Sequence, residues 1–86
     1  MQMSGKKQKS AGTLLDLHQG QEAVIKSFEL PERFARRLME LGFLPGGRIK
    51  AGRTAPGGDP RIFEVDGSEI ALRRETALQI LIKAVP

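Results

Sequence analysis

Few side chains in this 86-residue sequence are of a type that performs chemistry, and their spacing is unfavourable for it. His18 is the single histidine and cysteine is absent, so the three or four nitrogen and sulfur ligands that hold zinc or iron tightly cannot be assembled. Asp16, two residues earlier, makes with His18 a pair suited only to weak recruitment of a divalent ion at a surface. Ser4, Ser10, Ser27 and Ser68 stand in no motif that strains or activates a hydroxyl, and nucleophilic catalysis would have His18 as its only ordinary base. Gly57-Gly58 is followed by Asp59-Pro60 and a strand pattern, where a phosphate loop needs Gly-Lys-Ser/Thr opening a helix; the carboxylate would also repel phosphate. Glu64 and Asp66 fall at a strand end beside a turn and read as solvated charges, not as an acid and base couple. The chain is therefore expected to be no enzyme, to bind no cofactor, to hold no dedicated metal and to act on no small-molecule substrate.

What remains is charge and shape. The formal net charge is +4 and the isoelectric point is near 10.0. Lys6, Lys7 and Lys9 lie in the acid-free segment 1–12, however, and the remaining 11 basic residues face 10 acidic ones. Residues 1–12 are also poor in large apolar groups and are expected to form a flexible basic tail ahead of a folded domain spanning 13–86. Arg33, Arg36 and Arg37 make one basic ridge and Arg73 with Arg74 another. Tyrosine and tryptophan are missing and the four phenylalanines mostly fall on core-pattern positions, so bases have no stacking platform. Nucleic acid is accordingly disfavoured as a partner. The longest strictly apolar runs, such as Ile80 to Ile82, are three residues, against the ~20 of a membrane span, and the start of the chain has no signal-peptide core. Cytoplasmic residence is expected.

The elements that position these groups are short. Leu14 and Leu17 suit one inward-facing turn. Residues 22–28 read as a strand with Ala23, Ile25 and Phe28 inward and Val24 and Lys26 on the other side. Pro31 occupies a first helical position, Phe34, Leu38 and Leu41 recur as one apolar stripe, and Glu32 with Arg36 forms an i, i+4 pair. Gly42 ends this helix in the left-handed conformation with Phe43 folding back on Leu38, and Leu44-Pro45-Gly46-Gly47 has the chemistry of a type II turn. Strands follow over 48–54, with Ile49 and Ala51 inward, and over 61–65; Asp66-Gly67 is a two-residue hairpin signal before Ile70 and Leu72. A helical turn at 75–78 launches a closing strand over 79–85. About five strands and one helix result. So small a mainly β chain removes bare edges by curling its sheet, and a small SH3-like β-barrel is expected, with Gly52 at a bend and Phe34, Leu38, Ile49, Phe63, Val65, Ile70, Leu72, Ile80 and Ile82 inside.

The strings RRLMELGFLPGGRIK and TAPGGDPRIFEVDGSEIALRRETALQI, within a match over residues 13–86, resemble the FeoA family, whose members are named ferrous iron transport protein A. The resemblance implies an SH3-like barrel with an added helix, cytoplasmic and accessory to a membrane ferrous iron transporter of FeoB type that carries its own G-protein domain. A similar barrel closes iron-dependent repressors, but no winged-helix region precedes it here, and a free-standing accessory protein is expected. Docking on the cytoplasmic part of the transporter is the mechanism expected, and the helix-to-turn region, with Arg36, Arg37, Leu44, Pro45 and Gly46, is the expected contact patch, because a rigid turn presents a surface at little entropic cost. Weak self-association is left open. The alternative is a small barrel that binds nucleic acid or an anionic membrane through the lysine tail and the arginine ridges.

Overall fold

In a computed structural model of the protein, residues 12–85 are described, and they form one antiparallel sheet of six strands with two helices. In chain order these are β1 (Gly12–Thr13), β2 (Glu22–Phe28), α1 (Glu32–Glu40), β3 (Arg48–Thr54), β4 (Arg61–Val65), β5 (Ser68–Leu72), α2 (Arg74–Ala77) and β6 (Ile80–Lys83). The spatial order is β1-β6-β2-β3-β4-β5, one strand more than expected, because Gly12 and Thr13 pair with Ile82 and Leu81. The basic segment read as a tail lies outside the described residues except for Gly12. The architecture is the mainly β, SH3-like barrel that the strand pattern implied.

The curl of the sheet has visible causes. Register shifts occur between Ile25 and Ser27 in β2 and between Ala51 and Thr54 in β3. Gly52 sits inside the second shift, where an added Cβ would stand 3.3 Å from the Ile62 carbonyl oxygen, so the two backbones approach closely there. Asp66 and Gly67 both take positive φ, the geometry of a type I′ hairpin between β4 and β5. The two ends of the sheet are then tied by a side chain. Arg61 on β4 donates from Nη1 to the Leu15 carbonyl at 3.0 Å and from Nη2 to the Leu17 carbonyl at 2.6 Å, around the 3-10 turn Leu14–Asp16 that follows β1.

Leu14, Leu17, Ala23, Ile25, Leu38, Phe43, Ile49, Ala51, Phe63, Val65, Leu72, Ala77, Ile80 and Ile82 make one continuous core, against which Phe28 and Ile70 pack partly buried. Three expectations are corrected here. Phe34 and Leu41 are each 51% exposed, and the inward face of α1 is made by Ala35 and Leu38 instead. Residues one apart on a helix differ by about 100° in direction, so turning Ala35 inward carries Phe34 to the flank. Val24, expected on the outer side of β2, is buried. Its cross-strand partners Arg48 and Lys83 stand on the same face, and side chains of that length shield an apolar neighbour with their aliphatic stems. Pro31 stands one residue before α1, where its carbonyl accepts from the Phe34 and Ala35 amides at 3.0 Å each.

Candidate docking surface

The helix stop that sets up this surface follows from Gly42. At φ +111° it lets the Phe43 amide donate to the Leu38 carbonyl at 3.0 Å and its own amide to the Met39 carbonyl at 3.0 Å, the paired bonds of a Schellman motif. Phe43, completely buried, is thereby driven into the core beside Leu38. The chain then reverses: the Gly47 amide reaches the Leu44 carbonyl at 2.8 Å and Gly46 takes φ +87°, as a type II turn requires. Two further bonds pin this turn to the centre of the sheet, from the Gly46 amide to the Ile25 carbonyl at 2.7 Å and from the Ile25 amide to the Gly47 carbonyl at 3.0 Å. Leu44, Pro45 and Gly46 are thus held rigidly and exposed.

The five residues singled out from the sequence do not share one depression. Arg36 is exposed and pairs with Glu32 at 3.2 Å, as the i, i+4 spacing implied. Arg37 lines a shallow groove of about 400 Å3 between α1 and the end of β5, together with Leu30, Phe34, Leu38, Ala71, Leu72, Arg73 and Thr76. Leu44 lines a different depression of about 330 Å3 with Gly42, Gly47, Arg48, Val65 and Asp66. Sequence reasoning missed Phe34, Leu30, Ala71 and Arg73 as neighbours of Arg37. The available signal was Ala35: a small apolar residue beside Leu38 offers a second inward stripe, which frees Phe34.

Several groups weighed for chemistry have structural duties. The Asp16 carboxylate accepts from the Thr13 amide at 2.8 Å and the Thr13 hydroxyl from the Leu15 amide at 3.3 Å, a capping box on the 3-10 turn. Asp59, in the loop compared with a phosphate site, accepts from the Arg74 amide at 2.9 Å and so caps α2. His18 is exposed, with its amide bonded to Gln21 Oε1 at 2.8 Å. Among the described residues no group of three or more histidine, cysteine or acidic side chains converges on one point.

The sequence matches the FeoA domain family over residues 12–84. The chain belongs to the FeoA family. It is 35% identical over 72 residues to a Porphyromonas gingivalis Fe(2+) transport protein A/Fe(2+) transporter FeoB fusion protein; the match takes in 84% of this chain and 8% of that relative's length. Among solved structures, the FeoA protein of Chlorobium tepidum superposes with a TM-score of 0.80 at 32% identity, over 86% of this chain and 70% of the other. Stenotrophomonas maltophilia FeoA, a prokaryotic SH3 domain protein solved with zinc, superposes with a TM-score of 0.72 at 32% identity, over 83% of this chain and 88% of the other. Among the described residues of this FeoA chain, no helix is long and apolar enough to cross a membrane.

Proposed function

We propose that this FeoA domain is a cytoplasmic accessory of ferrous iron uptake that docks on the cytosolic part of a FeoB-type transporter. The observation that carries the reading is the Porphyromonas gingivalis relative, in which a segment similar to nearly the whole of this chain shares one polypeptide with the transporter FeoB. Covalent linkage raises the local concentration of one module at another, which is useful where the two must meet. Where the two modules are not joined covalently, the domain's own surface has to supply that encounter.

On this reading the domain acts by differential binding: it favours whichever nucleotide state, or open or closed state, of the transporter it fits better. Arg36, Arg37, Leu44, Pro45 and Gly46 are the proposed contact residues. The turn is fixed by backbone bonds to β2 before any partner arrives, so little ordering entropy is lost on docking. Leu44 is half exposed although large and apolar. The pair between Arg36 and Glu32 is solvated and exchanged at small cost for a pair with a partner's carboxylate.

The test is an NMR titration of the domain with the transporter's cytosolic region in each nucleotide state. Shifts are expected on α1 and at Leu44–Gly46, with different affinities for the two states. Arg37→Glu and Leu44→Asp, both at exposed positions, are each expected to weaken binding by about tenfold without loss of folding. Unchanged affinity in both variants refutes the placement; equal affinity for all nucleotide states refutes the switch.

A further inference from the structure

The groove beside Arg37 runs along an open strand edge. It is lined by three consecutive residues of one strand and its end, Ala71, Leu72 and Arg73. Successive residues point to opposite faces, so a depression that touches all three lies at the edge of β5 and not over one face of it. Among the described residues β5 pairs with β4 alone.

The hairpin fixes which backbone groups face the groove. The two-residue turn Asp66-Gly67 joins Val65 to Ser68, which makes those two the hydrogen-bonded pair. Bonded and non-bonded pairs alternate from there along an antiparallel ladder. Phe63 with Ile70 and Arg61 with Leu72 are therefore bonded, whereas Glu64 with Glu69 and Ile62 with Ala71 are not. The N–H and C=O of Ala71 consequently point away from β4, into the groove. Across from them stand Phe34, half exposed on α1, and Leu30.

We infer that this groove captures an extended segment of a partner protein as an added strand on β5, with an apolar side chain seated on Phe34 and Leu30 and carboxylates at Arg37 and Arg73. The charge is argued from the rim. Arg37 and Arg73 are exposed, and among the described residues neither is in an ion pair. Glu69, on the same side of β5 two residues before Ala71, gives the site polarity: it repels an acid at its own end and leaves the arginine end for the partner's carboxylates. The same charges disfavour the chain's own start, since residues 1–11 carry Lys6, Lys7 and Lys9 and no acid. A second copy paired antiparallel about a two-fold axis at Ala71 would set Arg73 against the other copy's Glu69, so charge does not exclude it, and dilution separates it from a partner segment. The inference rests on the docking reading only for which protein supplies the segment.

The probe is a capped octapeptide of alternating valine and glutamate, titrated into the full chain and followed by amide shifts and hydrogen exchange. Saturable shifts are expected at Phe34, Ala71, Leu72 and Arg73, with exchange of the Ala71 amide slowed at least tenfold, the mark of a new ladder bond. Phe34→Ala and Arg73→Glu are each expected to weaken binding about tenfold, and a valine and lysine octapeptide is expected not to bind. Methylating alternate amides of the peptide, which leaves this protein untouched, abolishes the interaction. No saturable binding up to about 1 mM, shifts elsewhere, or binding indifferent to methylation overturns the inference. So does an Ala71 amide already slow in the protein alone and released by dilution or by removal of residues 1–11, which would assign the edge to a second copy or to the chain's own start. Transporter docking that persists while the octapeptide fails sinks this inference and spares the docking reading; the converse does the reverse.

Discussion

Gly42 and Gly46 both hold positive φ next to the proposed contact surface, yet substitution at the two should differ in cost. A Cβ at Gly42 would stand 3.3 Å from Val65 Cγ1, inside the core, whereas at Gly46 it would meet nothing within 4 Å. Gly46→Ala is expected to lose about 1 kcal/mol, the strain of the left-handed conformation alone. Gly42→Ala adds steric conflict with a buried valine and is expected to lose roughly 2 kcal/mol or more. Urea midpoints at unchanged m-value check both. The phenylalanines make a sharper pair. Phe43, with no exposed surface, is expected to cost about 3–5 kcal/mol on truncation to alanine. Phe34, half in water, is expected to cost about 1 kcal/mol or less. If Phe34→Ala destabilises as much as Phe43→Ala, the orientation of α1 described above is wrong.

At the level of elements, what the sequence discloses depends on how local the cause is. The end of α1, the turn at Leu44–Gly47 and the β4–β5 hairpin follow from glycine and proline chemistry within a few residues, and all three form as their residues imply. The roll of α1 about its axis is not local. Phe34-Leu38-Leu41 and Ala35-Leu38 are both apolar stripes, and nothing within the helix itself selects the second, which is the one that is buried. The candidate surface was legible in the same uneven way: Arg37 and Leu44 are visible as exposed residues on a rigid frame, but their separation into two depressions depends on strands that arrive later in the chain. Arg61 is the extreme case, since its partners lie 46 and 44 residues away and nothing near it announces them. Arg61→Met keeps most of the stem but leaves the Leu15 and Leu17 carbonyls without their donor. The expected loss is about 2–3 kcal/mol, together with faster amide exchange at Leu14–Asp16 while β2 and β3 keep their protection. Uniform loss of protection across all strands would show instead that Arg61 is not a local clasp on the sheet's ends.

For the molecule as a whole, the distribution of charge separates docking from non-specific adhesion. Of the formal net charge of +4, three units belong to Lys6, Lys7 and Lys9, and the remainder of the chain is close to neutral with its acids and bases interleaved. Adhesion to a polyanion scales with the number of cations that displace counterions, and each contact contributes close to one unit to the salt slope. Deleting residues 1–11 is therefore expected to flatten the dependence of log K on log salt for duplex DNA by about 3 and to remove most of what affinity exists. Docking as proposed, through a turn with Leu44 and an apolar groove, would owe its strength chiefly to desolvated surface, which salt hardly screens. The same deletion is expected to leave affinity for the transporter's cytosolic region within about twofold, and raising salt from about 0.05 to 0.5 M to weaken it by less than about tenfold, because only the rim arginines are screened. Should transporter binding instead collapse with the deletion and fall as steeply with salt as DNA binding does, the lysines and not the helix and turn carry the association, and the barrel is only their support.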